Sequence, residues 1–227
     1  MNPELTVLVP AYQEEDNLRR NLPLLLEAMG GCTAAYEILV VDDGSTDAGP
    51  DVAASFARRG PVRLVRHPRN LGPGAAVPTG VFWARGAWIL LVPADLACDP
   101  ADLRRVWEMR QDADVVVALR SARGDVPGWR RALSKAFVAT LRGLTGSAVE
   151  QFTYIQMVRR ALFEDLPLRS RGVFVTAEII LRAERAGLRL VQLPLAYRPR
   201  ESGRASGASP RAMARAAWEM LVYFTAG

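Results

Sequence analysis

The sequence predicts a single compact α/β domain on a Rossmann-like, mostly parallel sheet flanked by helices. Three observations predict it. Over the first 120 residues, short apolar runs alternate with stretches of helical periodicity. The apolar runs are continuous instead of alternating with polar residues, as in strands covered on both faces. The 227-residue chain is 50% apolar and 23% charged, enough to build a sizeable core and too apolar for general disorder.

The elements follow in order. Leu5–Val9 reads as a buried strand. Glu14–Met29 carries Leu18, Leu22, Leu25, Leu26 and Met29 at helical spacing and stops at Gly30-Gly31. Ile38–Val41 is a second strand. Asp47–Arg59 is a helix, with Ser45 and Thr46 before it as capping residues. Val62–Val65 is a third strand, Ala75–Ala84 a helix of small residues, Trp88–Val92 a fourth strand, Ala101–Arg110 a helix and Asp114–Ala118 a fifth strand. Arg120–Gly128 is polar and reads as a loop. Trp129–Leu144 is helical, and Val149–Val158 is expected as a strand approaching the sheet edge. Thr176–Ala186 is a helix ending at Gly187, Leu188–Ala196 a strand, Arg198–Pro210 a loop rich in Gly, Ser and Arg, and Arg211–Phe224 a final helix.

Composition excludes several chemistries. Two cysteines (Cys32, Cys98) and one histidine (His67) are too few for a zinc cluster, a disulfide framework or a choice of triad histidines. No run is long and apolar enough for a membrane span, and the N-terminus lacks the features of a secretory signal. The net charge of +5 rests almost wholly on arginine, Lys135 being the single lysine. Arg198, Arg200, Arg204, Arg211 and Arg215 cluster near the end, either as a solvated basic face or as an anion or membrane-surface site. The arginines are otherwise dispersed and no aromatic stacking platform interleaves them, so nucleic acid is not an expected partner.

Three strands run into acidic or polar turns: Pro10-Ala11-Tyr12-Gln13-Glu14, Asp42-Asp43-Gly44-Ser45-Thr46-Asp47, and Pro93-Ala94-Asp95. In a parallel sheet these tips share one rim, where ligands bind. Gly72-Pro73-Gly74 is no dinucleotide fingerprint, because that motif follows the first strand, and no phosphate-binding G-x-x-x-x-G-K-[ST] occurs.

The set VPAYQEEDNL, VVDDGSTD, NLGPGAAVPTG and LVPADLACDP resembles family 2 glycosyltransferases of the GT-A fold. The resemblance is strongest to the branch that includes dolichol-phosphate mannosyltransferases and polyprenyl-phosphate glycosyltransferases. It implies a nucleotide-sugar half (1–120), an acceptor half (121–209) and a C-terminal amphipathic helix (210–227). It implies that Asp43, with the Val41 backbone, reads the base. Pro10, Tyr12 and Glu14 would hold the nucleoside, and Gly72 and Gly74 would permit close backbone approach. Asp95 would ligate Mg²⁺ or Mn²⁺ beside Ala94, although Pro93 stands where the family has a first aspartate. Arg200 and Arg204 would then contact the diphosphate. Glu150 and Glu178 would stand on the acceptor side, either being able to serve as a base for a hydroxyl acceptor.

A lipid phosphate acceptor needs no base, since its oxygens are already ionised at neutral pH. The final helix places Met213, Ala217, Met220, Leu221 and Phe224 on one face, with Trp218 and Tyr223 suited to a headgroup layer. It either docks on its own domain or lies at a membrane. The expectation is therefore hexose transfer from a GDP- or UDP-sugar to polyprenyl or dolichyl phosphate, peripherally at the cytoplasmic membrane face. The alternatives are a soluble or saccharide acceptor, or a non-catalytic nucleotide-sugar-binding protein, the latter suggested by Pro93.

Overall fold

The computed structural model describes residues 2–121, 128–164, 168–198 and 210–225. In chain order its main elements are β1 (Leu5–Ala11), α1 (Glu15–Gly30), β2 (Tyr36–Asp42), α2 (Gly49–Ala57), β3 (Val62–Arg66), α3 (Pro73–Trp83) and β4 (Trp88–Leu91). They continue with α4 (Asp102–Glu108), β5 (Val115–Arg120), α5 (Gly128–Thr145), β6 (Gln156–Arg159), α6 (Val175–Arg185), β7 (Leu190–Leu195) and α7 (Pro210–Thr225). Each helix and strand expected from the sequence is present, apart from shifted ends and one strand discussed below.

The described strands form one sheet in the order β3-β2-β1-β4-β6-β5-β7. The pairs β3–β2, β2–β1, β1–β4 and β5–β7 are parallel, and β6 is antiparallel to both β4 and β5. Six strands therefore point one way. Alternate residues of the central strands feed two cores. Leu5, Val7, Val9 and Val40 join Leu18, Leu22, Leu25 and Met29 of α1 on one face. Leu8, Leu39 and Val41 join Ala76 and Val77 of α3 and Phe174, Ile179 and Ile180 around α6 on the other. Burial on both faces is why these strands read as unbroken apolar runs.

The stretch 149–158 departs from expectation. Residues 149–155 cross the rim as bends that bury Val149, Phe152, Tyr154 and Ile155, and only Gln156–Arg159 form a strand. That strand lies in the interior of the sheet, with Leu91 opposite Gln156 on one side and Val117 on the other. Hydrophobicity marks both segments as buried. It does not say which of them takes a ladder position.

The last helix docks on its own domain, with its phase rotated from the expected face. Ala216 is buried, and Met220, Tyr223 and Phe224 pack against the second core, with Tyr223 tilted on Phe174 at 5.6 Å between ring centroids. Trp218, Leu221 and Val222 remain exposed, at 65%, 53% and 42%. The side chains of Arg211 and Met213 lie outside the described part.

Candidate active site

The rim at the carboxyl ends of the six like-directed strands collects the polar tips. Asp42 sits opposite Ala11, and Leu91 opposite Leu8, so the ends of β2, β1 and β4 are adjacent. Asp43 follows β2 and Asp95 follows β4, so both belong to this one rim, with the end of β1 between their strands.

At the β1 tip, Gln13 has φ 55°, the left-handed region that a non-glycine residue enters only when held there. It is held by four hydrogen bonds to the β2–α2 turn. Its backbone N–H donates to Ser45 Oγ at 2.9 Å and its amide NH₂ to Thr46 Oγ1 at 3.0 Å. Its amide oxygen accepts from the N–H groups of Thr46 (3.0 Å) and Asp47 (3.1 Å). Glu15 N–H donates to Asp47, and Ala48 N–H to Glu15, which completes a polar seam between the two turns. Tyr12 stands partly exposed at the rim, and Pro10 lies one step below it, in register with Val41. Glu14 accepts from the Asn17 amide. Val41 is buried inside the sheet, so it floors the rim and does not face it.

Asp43 is 4% exposed and enclosed by donors. Its Oδ1 meets His67 Nδ1 at 2.7 Å and accepts from Leu71 N–H at 3.0 Å; its Oδ2 accepts from Gly72 N–H at 2.7 Å. His67 Nε2 lies 3.0 Å from Thr79 Oγ1. In the neutral ring, a carboxylate beside Nδ1 favours the proton there and turns Nε2 toward the threonine hydroxyl. Both ring nitrogens are thus committed, which removes the single histidine as a general base. Of the four lone-pair sites of Asp43, three are taken. The expected open base reader is in the first place a bracket that ties the Gly72 turn (φ 90°) to the rim. Asp42 does similar work for its own turn, accepting from Ser45 N–H and pairing with Arg66 Nε at 3.1 Å. Beside this bracket a cavity of ≈ 460 Å³ opens between the β2 and β3 tips, lined by Gly44, Ser45, Thr46, Arg66, His67 and Pro68.

Gly74 does permit a close approach, but to protein: a Cβ there would stand 2.0 Å from the Arg171 carbonyl carbon. The 169–172 loop leans on the first turn of α3.

The β4 tip closes in a tight turn. Leu96 N–H donates to the Pro93 carbonyl at 3.0 Å, and Leu96 is the second non-glycine at positive φ, 41°. Ala94 is buried and its carbonyl accepts from Asn21 Nδ2 at 2.8 Å. Asp95 lies at the corner of this turn, half-buried. Asp99 Oδ1 accepts from Ala101 N–H at 3.0 Å and so serves the start of α4. Cys98 is no nucleophile: burial first, then Asp102 and Asp99, pushes its thiol up to about 12.

At the end of β5 stands a residue the sequence reading missed. Arg120, the last residue of β5, lies over the ring of Tyr154 at 4.3 Å and of Tyr197 at 5.2 Å. The Tyr154 hydroxyl donates to Ala97 O at 2.6 Å, and Cys98 bridges Tyr197, so both rings belong to the wall beside Asp95. Arg120 Nε is buried without a hydrogen-bond partner among the described residues. Gln13 and His67 were missed likewise: a lone glutamine at a strand tip and one buried histidine carry no periodic signal.

Glu150 is exposed, with its backbone N–H donating to Gln192 Oε1 at 2.7 Å. Glu178 corrects the expectation of an available base. It is 0% exposed and accepts from Arg169 N–H, Ser170 N–H and the Arg182 guanidinium, which also pairs with it at 2.6 Å. Burial raises its pKa, but hydrogen bonds from Ser170, Arg169 and Arg182 outweigh this and hold it below the ordinary value. Arg200 and Arg204 lie outside the described residues.

Among the described residues no three His, Cys, Asp or Glu side chains gather into a metal cage. Asp95 offers a single hard oxygen donor. That fits a Mg²⁺-like ion completed by diphosphate oxygens and water, which does not require an all-protein cage.

The model of a family described as "Glycosyl transferase family 2" matches residues 6–167. The chain is 32% identical over 203 residues to an uncharacterized glycosyltransferase of Mycobacterium tuberculosis, covering 88% of each. It is 29% identical to undecaprenyl-phosphate 4-deoxy-4-formamido-L-arabinose transferase of Sodalis glossinidius, covering 88% of this chain and 61% of that enzyme. Among solved structures, glucosyl-3-phosphoglycerate synthase of M. tuberculosis, in complex with Mn²⁺, UDP and glucosyl-3-phosphoglycerate, superposes with a TM-score of 0.75. That match has 19% identity and covers 97% of this chain and 79% of that one. The same enzyme is solved with Mg²⁺ and UDP.

Proposed function

The chain belongs to glycosyl transferase family 2 and is a glycosyltransferase of GT-A fold; from that premise we propose that it moves a hexose from a nucleoside diphosphate sugar to a polyprenyl phosphate at a membrane surface. The observation that carries the reading is the rim itself. Two non-glycine turns at positive φ, at Gln13 and Leu96, stand at adjacent strand tips within a row running from the Asp43–His67 bracket to Asp95 and Arg120. Held strain of this kind at adjacent strand tips is a mark of a preorganised site.

The cavity between the β2 and β3 tips is the place for the donor's base, and Tyr12 and Glu14, at the tip of the neighbouring β1, are the residues that would hold the nucleoside. Asp95 is the residue that would hold a divalent cation, and such a cation supplies charge neutralisation at the departing diphosphate. Arg120 is held flat by two aromatic rings with a buried N–H unspent. It fits a phosphate oxygen with little ordering cost, the same kind of contact that Arg200 and Arg204 are expected to make.

A phosphate acceptor, which needs no base, is supported by how few candidate bases are free: His67 has both nitrogens bonded, Cys98 stays a thiol and Glu178 is sealed, which leaves the exposed Glu150. Exposed apolar residues on α7 (Trp218, Leu221, Val222) and α5 (Leu133, Leu144) support a surface-bound enzyme. The related transferases named for undecaprenyl phosphate agree. A second reading, a small soluble phosphorylated acceptor, is favoured by the phosphoglycerate complexes of the structural neighbours. Incubation with radiolabelled UDP- or GDP-sugars, Mn²⁺ and polyprenyl phosphate separates the two. Label entering the organic phase is the expected result. Label remaining in a water-soluble glycoside of an added phosphorylated acceptor, with none in the organic phase, overturns the lipid acceptor.

A further inference from the structure

A larger cavity, of ≈ 620 Å³, lies between α6, α7 and the 169–171 segment, and shares no lining residue with the cavity at the β2 and β3 tips. Five arginines line it: Arg169, Arg171, Arg182, Arg185 and Arg215. Glu178 pairs with Arg182 at 2.6 Å and Glu219 with Arg215 at 3.2 Å, and Arg169 is engaged through contacts of its own. Arg171 and Arg185 make no carboxylate ion pair among the described residues. Two such guanidinium groups gathered beside three further arginines repel them, and a bound anion relieves that repulsion.

The surroundings hold these groups in place. Arg185 is stacked over Tyr223 at 4.6 Å and Phe224 at 5.9 Å, which fixes its plane and leaves its in-plane N–H edge for a partner. The Arg171 backbone is fastened at both ends, its N–H to Glu219 Oε1 at 3.2 Å and its carbonyl to Arg215 at 2.8 Å. The Tyr223 hydroxyl is buried without a hydrogen-bond partner among the described residues, an unspent donor in the same wall. Trp218 and Val222 form an apolar side. Forked guanidinium donors match the oxygens of a tetrahedral phosphate, and an apolar wall suits a phosphate that carries an organic group.

We propose that this arginine-lined cavity is a second anion site that binds a phosphate group, supplied either by a free phosphate compound or by an anionic phospholipid headgroup. The inference stands apart from the choice of acceptor at the rim. Calorimetric titration of the full chain with inorganic phosphate and with glycerol phosphate tests the free source. Co-sedimentation with phosphatidylglycerol vesicles, against phosphatidylcholine vesicles, tests the lipid source. Binding in at least one arm, weakened at least tenfold by Arg171→Gln/Arg185→Gln and unchanged by the charge-matched Arg58→Gln/Arg59→Gln, is the expected result. Arg58 and Arg59 end α2 on the opposite face of the sheet, and melting curves check that both variants fold. Because Arg171 and Arg185 are exposed, each single variant repeats the test if the double one does not fold. No binding in either arm, or an equal loss in both double variants, overturns the proposal.

Discussion

Asp95 and Asp99 stand four residues apart in opposite situations. Asp99 is spent on Ala101 N–H at the start of α4, whereas Asp95 occupies the corner of the strained turn. Asp95→Asn is therefore expected to lower kcat by about 10²-fold or more, measured as sugar transfer at saturating Mn²⁺. Asp99→Asn is expected to leave kcat within a few-fold and to cost about 1 kcal/mol of stability; equal losses in the two variants would remove Asp95 from its assigned place. Asp43 also carries two burdens. Asp43→Asn presents an NH₂ where donors already point, and is expected to lose about 1–3 kcal/mol in urea unfolding. It is also expected to lose the rise in Tm that UDP or GDP gives the native chain. A variant that still gains the full ligand-induced rise would place the base elsewhere.

At the scale of elements, Glu178 is the tie between α6 and the 169–170 segment. Its depressed pKa sets the sign of a pH effect. The unfolded group titrates near 4.5 and the folded one lower, so its stabilisation is complete above about pH 4.5 and lost as pH falls through the folded value. Glu178→Ala, which leaves Arg182 buried and unpaired, is expected to cost roughly 3–5 kcal/mol at pH 7. Its urea midpoint should then change less than that of the native chain between pH 5 and pH 3. Gly74 makes a similar joint, between α3 and the 169–172 loop, with no room for a Cβ. Gly74→Ala is expected to destabilise by about 1–3 kcal/mol through overpacking, visible as a lowered Tm.

For the whole molecule, the proposed membrane attachment is a property that no single contact decides. Leu144→Ser/Leu221→Ser removes exposed apolar area, at positions 59% and 53% exposed, and is expected to change stability by no more than about 0.5 kcal/mol. It should lower transfer to polyprenyl phosphate in vesicles several-fold while sparing transfer to the same acceptor dispersed in detergent; equal activity in both would argue against a surface-bound enzyme. The strands from Leu5 to Arg120, their parallel order and the acidic tips at Asp43 and Asp95 were legible in the chain, because burial on both faces and turn chemistry write themselves into local sequence. The interior position of β6, the rotated docking of α7, the sealing of Glu178 and Asp43, and the stacking of Arg120 between Tyr154 and Tyr197 were not. The β6, α7, Asp43 and Arg120 arrangements depend on partners 20 to 80 residues away, and Glu178 depends on groups 4 to 9 residues off, in its own helix and in the segment that folds back against it. Side-chain pattern along one segment records how deeply a residue is buried, but not which group meets it there.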